Sequence, residues 1–502
     1  MTSKETYNYL GGCYAEGMRK AYAESYGKKA TKHKDLQGYG QFGDFKPWVQ
    51  NMLWELFDRV ALRGKEHYLL ADGSGRCVYA YNGKHYERID NPKGFVRELV
   101  RMVLRQLEIG LNYMGCAEKI GNELISTITS SDEFRYKPDR RYIAFNNGVF
   151  DLQAKDSASR FKQHDARYVT DIVLDFDYRS EKECNMQFRD VCKLWDNFIC
   201  NRETGVFTNP KIAADFQSFC GAFLMNRDDF KFEYMACIHG PGSNGKSVLV
   251  DAVSGVFGEE YYSTFTPKQL FKEGTSSSFC VSDLEGKLLN IVGDLDRADF
   301  SGGDFKRFIS GEKIRAREPY GKAFRFVKPP IMICCCNEFP ETGDDSEGHH
   351  RRLLPFESTR KMWTEKDKDT TLTARLTTPE ARAYIFNWIY KGYRRIINND
   401  NKLPLSDDTL KAQERLKANA NSMRRWFAGS DYDVPKNEKE GFWKLLKDIY
   451  AEYKAHCEEN HYTVRSSRDL SQMLQSKGLE RKRLGNGINF RIVRKEIESD
   501  IS

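Results

Sequence analysis

Gly240-Pro241-Gly242-Ser243-Asn244-Gly245-Lys246-Ser247 has the spacing G-x-x-x-x-G-K-[ST], a pattern that cradles a triphosphate. The glycines let backbone amides turn inward onto phosphate oxygens. Lys246 brings a point charge to the β and γ positions, and the Ser247 hydroxyl can ligate Mg²⁺. The implied chemistry is binding and hydrolysis of a nucleoside triphosphate, with ATP and Mg²⁺ as the expected ligands. A glycine-rich turn with an exposed lysine is the ordinary alternative. The flanks argue against it, because Phe232–Ile238 reads as a strand and Val248–Val253 as a helix, the setting such a loop requires.

Further along, Lys287–Asp296 is an apolar run that ends on carboxylates. Asp294 and Asp296 alternate along an extended chain, so they would point the same way and could share one magnesium-and-water site. Acidic residues also end strands without catalytic duty. A second apolar run, Pro330–Cys336, stops at Asn337, whose amide could orient water against a γ-phosphate or simply turn the chain before Pro340. Between the runs, Ile314–Phe326 alternates on both sides of Pro319-Tyr320-Gly321 and reads as a hairpin carrying Arg315, Arg317, Tyr320 and Lys322. Cations around an aromatic suit a single-stranded backbone and its bases, and equally suit a solubilised surface hairpin. His349-His350-Arg351-Arg352 follows a polar, acidic stretch. Paired arginines invite a finger that reaches a neighbouring subunit's γ-phosphate, which requires a ring. His349 and His350 lack partners at metal-ligand spacing and read as loop residues.

These groups need a scaffold. At 502 residues the chain has length for about three domains. Residues 1–60 read as a mostly helical segment, 61–215 as an α+β and helical domain, 216–400 as the nucleotide-binding domain, and 401–502 as a linker and a last module. Residues 45–57 carry helical periodicity. Asn82-Gly83 between alternating runs predicts a hairpin, as does Asn146-Asn147-Gly148 between Tyr142–Phe145 and Val149–Leu152. The 13 cysteines form no C-x-x-C pair, and Cys334–Cys336 fall in the second apolar run, so neither a disulfide framework nor a zinc ribbon is indicated. There is no apolar signal core at Met1–Thr6 and no run of about 18 apolar residues. A reducing, cytosolic setting without membrane attachment is the expectation.

The net charge of +7 is mild, but 441–495 holds 12 Lys/Arg against 6 Asp/Glu. Such an excess reads as a nucleic-acid surface or as a solvated face. Phe442–Cys457 has helical periodicity, Ser467–Gln475 a second helix stopped by Gly478, and Leu479–Arg494 a hairpin around Gly485-Asn486-Gly487. Helix, helix, basic hairpin is the order of a winged-helix domain. Arg481, Lys482, Arg483 and Arg491 are its candidate phosphate contacts.

The ordered set of Gly240–Ser247, Leu284-Glu285-Gly286-Lys287 through Asp294, Lys306–Arg317, Asn337 and Arg351-Arg352-Leu353-Leu354-Pro355-Phe356 resembles the superfamily 3 helicases. The phage/plasmid and poxvirus-type primase-helicases are the nearest likeness. Asn146–Leu152 followed by His164–Thr170 is similar to the domain that precedes their motor, so the resemblance spans about residues 60–360. It implies an α/β, AAA+-like P-loop NTPase motor with a winged-helix-like C-terminal domain. The implied activity is ATP-dependent unwinding by a homo-hexameric ring on single-stranded and forked DNA, in the cytoplasm of a bacterial host, beside a separate primase or polymerase. Lys246, Asp294 or Asp296, Asn337, and Arg351 or Arg352 would carry catalysis, with Ser247 and Asp294 on the metal. Two departures stand out: Asp294-Leu295-Asp296 replaces an adjacent acidic pair, and the Arg-Arg to Pro-Phe spacing is two residues short. No primase carboxylate and histidine set is found before residue 140. An initiator that uses ATP only to assemble on DNA would carry the same motifs.

Overall fold

The computed structural model describes residues 4–26, 54, 67–72, 76–106, 114–227, 229–271, 280–293, 303–312, 314–317, 323–326, 329–337, 347–358, 369–419, 422–437, 440–460 and 464–494. The helical run expected at 45–57 lies outside them, apart from Trp54. So do Asp294, Asp296, Tyr320 and Lys322. The chain separates into two compact units, Met1–Arg179 and Ser180–Ser502.

In the first unit, α1 (Lys4–Tyr26) is followed by three antiparallel strands, β1 (Leu69–Ala71), β2 (Val78–Tyr81) and β3 (Tyr86–Ile89), and by α2 (Pro92–Gln106) and α3 (Met114–Ser130). Apolar residues at 95, 96, 99, 100, 103 and 104 place one stripe of α2 in a core shared with α1 and α3. The β2–β3 connection has four residues, not the two an Asn-Gly turn allows. Asn82 makes the longer loop by accepting the Lys84 and His85 amides on its side-chain oxygen, both at 2.9 Å.

A second antiparallel sheet of β4 (Tyr142–Phe145), β5 (Gly148–Asp151) and β6 (Phe161–Lys162) is tied by one buried carboxylate. Asp151 accepts two bonds from Arg141 and one from Lys162, each 2.7 Å. Burial pushes its carboxyl up, but the bonds from Arg141, Lys162 and the Gln153 amide outweigh burial and hold it at about 2. The folded value thus lies below the unfolded value of about 3.9. The network's contribution is complete above that pH and is lost as pH falls through about 2. Asp151→Asn is expected to lower stability by about 2 kcal/mol at pH 7, read from denaturant midpoints, with the deficit shrinking toward pH 2. A variant as stable as the parent at pH 7 would contradict the assignment.

The second unit opens with α4 (Glu181–Gln187), whose Ser180 and Glu183 form a reciprocal capping box, then α5 (Arg189–Ile199) and α6 (Pro210–Gly221). Its centre is a parallel sheet of five strands: β7 (Met235–His239), β8 (Tyr262–Ser263), β9 (Leu289–Val292), β12 (Ile331–Cys336) and β13 (Leu353–Glu357), in spatial order β13-β7-β12-β9-β8. Every residue of β12, including Cys334–Cys336, is buried, as expected of a strand covered on both faces. Around the sheet lie α7 (Lys246–Phe257), α8 (Gly303–Ile309) and the α9 turn (Glu347–His350), and further along the chain α10 (Pro379–Ile397) and α11 (Asp407–Asn419). An antiparallel hairpin of β10 (Ile314–Arg317) and β11 (Ala323–Phe326) stands between β9 and β12 in the chain, in the register Ile314↔Phe326.

The C-terminal part holds α12 (Ser422–Gly429), β14 (Tyr432–Asp433), β15 (Phe442–Leu445), α13 (Leu446–Glu459), α14 (Ser467–Ser476), β16 (Arg481–Leu484) and β17 (Gly487–Arg494). The helix expected from Phe442 begins only at Leu446. Phe442–Leu445 instead pairs with Asn489–Ile492 of β17, a non-local gain that the helical spacing of the apolar residues cannot register. His349 and His350, expected in a loop, are buried in the α9 turn. The His349 ring packs against Phe305, and Gln413 Nε2 donates to the His350, Arg351 and Leu353 carbonyls, which draws the segment into the fold.

Candidate functional site

Parallel strands put all their carboxyl ends on one edge of a sheet, and a loop after a central strand opens there between its neighbours. β7 is flanked by β13 and β12. At that edge His239 pairs with Glu357 on one side and Cys336 on the other, so Gly240 and Asn337 leave the sheet side by side.

Gly240 has φ +149°. A Cβ there would stand 2.4 Å from the Ser358 carbonyl oxygen, so no side chain fits. Ser358, the residue after β13, also donates its amide to the His239 carbonyl at 2.7 Å and its hydroxyl to the Val206 carbonyl at 3.3 Å. The loop is thereby framed by a residue with no motif to announce it. Gly245, at φ +92°, turns the chain into α7, whose first residue is Lys246. Backbone amides at a helix start and the positive end of its dipole favour an anion at this place.

Lys246 is only 7% exposed. Its ammonium donates to the carbonyls of Gly240 at 2.7 Å and Pro241 at 2.9 Å, to Asn244 Oδ1 at 3.1 Å and to Asn337 Oδ1 at 3.2 Å. The four oxygens that accept from this ammonium are chemical stand-ins for phosphate oxygens, so the lysine, as the donor, fits a phosphate group. Burial lowers the His239 ring below its usual value, against an upward pull from Glu357 and with a smaller downward push from Lys246. The ring stays neutral beside the lysine and adds no competing cation. Ser247, one residue into α7, is exposed.

The structure thus brings Gly240–Ser247 and Asn337 together, 91 positions apart between Lys246 and Asn337. β9 ends at Val292, level with Cys334 of β12, so the chain beyond it leaves the same edge; Asp294 and Asp296 lie outside the described residues.

Arg351 and Arg352 are elsewhere. The Arg352 carbonyl accepts the Met235 amide at 2.8 Å, which puts both arginines at the amino end of β7, the opposite edge. Five residues of strand separate the edges by on the order of 15 Å. The two side chains also differ. Arg352 is 11% exposed and donates from Nε and Nη2 to Ser310 Oγ at 3.0 and 2.8 Å, with further contacts to the Gly348 carbonyl and, at 3.6 Å, to Glu233. Arg351 is 60% exposed, and Glu233 stands 3.9 Å from it. Burial pushes the Glu233 carboxyl up, while Lys231, Ser310 and Arg352 together bring it below the usual range. Glu233 and Ser358 belong to no recognisable motif, and sequence reasoning missed them; Ser310 lies within the Lys306–Arg317 segment, but its contact with Arg352 is not readable there. Arg227 was missed as well. It donates to the Phe232 carbonyl at 3.2 Å and to the Pro329 carbonyl, tying the segments that lead into β7 and β12, and burial brings its guanidinium down to about 10.

Arg315 and Arg317 stand on β10. Arg481, Lys482 and Arg483 are exposed on β16, and Arg491 lies on the neighbouring β17, its Nη1 3.1 Å from Glu480. These basic positions form a group of their own on the C-terminal sheet. Among the described residues no cluster of three His, Cys, Asp or Glu is arranged to hold a metal ion. No described helix is long and apolar enough to cross a membrane.

Comparison with known proteins gives matches on both sides of β7's start. Solved structures of the NrS-1 C terminal region are similar over most of the chain. An A-form apo structure of that region matches at 12% identity and TM-score 0.37, over 90% of this chain and 100% of that one. A second A-form apo structure matches at 13% and TM-score 0.39, over 85% and 96%. A likeness of that size assigns no activity. Residues 238–352 match a family of unknown function (DUF5906), a span that begins in β7 and ends at Arg352. Residues 50–201 match the family described as D5 N terminal like, so that ahead of the Lys246 site the chain is similar to the segment found in phage-type and viral primase-helicases.

Proposed function

We propose that this protein is an ATP-dependent, ring-forming DNA helicase of phage- or plasmid-type replication that moves along single-stranded DNA. The observation that carries this reading is the Lys246 ammonium held among Gly240, Pro241, Asn244 and Asn337 oxygens at the carboxyl edge of a parallel sheet. It supports a P-loop NTPase core of AAA+ type, with Asn337 beside the γ-phosphate position and not merely turning the chain.

In this reading the Gly240–Gly245 amides and Lys246 bind the triphosphate and counter the charge that spreads over the transferring phosphoryl group. The exposed Ser247 hydroxyl and Asp294 would hold Mg²⁺, which when bound neutralises phosphate charge. Asp294 or Asp296 orients the attacking water from the chain that leaves β9, and Asn337 positions it. Arg351 acts across a subunit boundary of a homo-hexamer. Its distance along β7 from its own loop supports action in trans, and the internal commitment of Arg352 supports Arg351 as the finger. Arg315, Arg317, Tyr320 and Lys322 of the β10–β11 hairpin grip one DNA strand. The C-terminal module, read as a winged-helix-like domain, adds phosphate contacts through Arg481, Lys482, Arg483 and Arg491. Single-stranded and forked DNA are the partners, with a separate primase or polymerase, in the cytoplasm of a bacterial host.

Steady-state hydrolysis with and without single-stranded DNA tests the motor. Stimulation by about tenfold or more is expected if strand grip and hydrolysis are coupled. Hydrolysis indifferent to DNA would instead fit an initiator that uses ATP only to assemble.

A further inference from the structure

β15 and β17 are paired so that Trp443 faces Arg491 and Leu445 faces Asn489, while β16 places Lys482 opposite the same Asn489. Paired residues share a face of an antiparallel sheet. Phe490 and Ile492, which alternate with these, are buried against α12, α13 and α14, so Trp443, Lys482, Asn489 and Arg491 lie on the face turned away from that core. Trp443 takes no part in the core. Its indole is covered by the Arg491 guanidinium at 4.8 Å and the Lys482 ammonium at 5.9 Å. Glu480 holds the guanidinium from one side at 3.1 Å. Asn489 is 2% exposed, and its amide donates to Asn486 Oδ1 at 2.8 Å and the Gly487 carbonyl at 3.0 Å, which fixes the turn beside Lys482.

We propose that this outer face, centred on Trp443, is a stacking site for the bases of single-stranded DNA. From Arg481 to Arg494 the chain carries five cations and no acidic residue, which matches a polyanion. A layered indole and guanidinium offer planes on which bases stack without sequence preference, while Lys482 and its neighbours take the phosphates. A duplex keeps its base faces covered and cannot use the indole, so the aromatic selects the single strand. The inference takes its partner class from the helicase reading and extends that reading from phosphate contact to base stacking. It does not depend on hydrolysis.

The test is fluorescence anisotropy with the full chain, without nucleotide, on labelled oligothymidylate of about 30 nucleotides and on a duplex of the same length. Trp443→Ala is expected to weaken single-strand binding about tenfold and duplex binding by less than about twofold. Trp443→Phe should retain most of the affinity, since a ring remains, and serves as the control for folding. Lys482→Ala should give a smaller loss and a shallower salt dependence. Trp443→Ala binding the single strand like the parent would overturn the proposal. So would equal losses on single strand and duplex, or Trp443→Phe falling as far as alanine. A protein that failed to hydrolyse ATP would leave these outcomes readable, so this inference and the motor reading fail separately.

Discussion

Lys246→Ala is expected to abolish ATP hydrolysis, by a factor of about 10²–10³ or more, without unfolding the chain. The ammonium is the one charged group of Gly240–Ser247, and in the proposed site it would face the phosphates, where loss of a single preorganised donor typically costs that much. Its removal also leaves the Gly240 and Pro241 carbonyls and the Asn244 and Asn337 side chains without the donor on which they converge. The loop itself should persist, because Ser358 and the Gly240 and Gly245 backbone angles frame it independently of the lysine. Hydrolysis assayed beside thermal unfolding checks both halves. Normal turnover in the alanine variant would remove the loop from the mechanism.

The second large effect concerns the arginine pair, which the fold divides into unlike members. Arg351→Ala is expected to lower hydrolysis about 10³-fold, the scale of a trans-acting arginine, with little change in stability. Mixing Arg351→Ala with Lys246→Ala chains should restore part of the activity, because some interfaces then join an intact loop to an intact arginine. Two inactive chains that stay inactive together would argue that Arg351 does not act across a boundary. Arg352→Ala should behave differently and lower stability by about 1–3 kcal/mol, because Ser310 and Glu233 lose their buried cation. Ser310 directly follows α8 and stands four residues before the β10–β11 hairpin, so Arg352 links the segment bearing Arg351 to the hairpin's root. A change felt by Arg351 at a neighbour's nucleotide would be passed to the hairpin by this short path.

What the sequence made legible follows from how local each signal is. The strand–loop–helix setting of Gly240–Ser247 could be read because its glycines lie close together in the chain and the strand and helix around it were visible as apolar runs. The β4–β5, β10–β11 and β16–β17 hairpins were legible for the same reason, since turn chemistry and alternation sit within a few residues. The position of Asn337 beside Lys246 was not legible in the sequence, because only the pairing of β12 with β7 brings the two together. The difference between Arg351 and Arg352 was invisible, since it depends on Glu233 and Ser310, both more than 40 positions away in the chain. Phe442–Leu445 was read as helix because its apolar spacing fits 3.6 residues per turn, and pairing with β17 overrides that spacing. His349 and His350 were read as loop residues because nothing local reports that Phe305 and Gln413 close over the α9 segment.

The most direct measurement is strand separation on a forked duplex, with hydrolysis followed in the same reaction, for the parent chain and Lys246→Ala. Unwinding should require ATP, the single-stranded arm should stimulate hydrolysis, and both activities should be lost with Lys246. ATP hydrolysis by the parent chain without any strand separation would contradict the helicase reading.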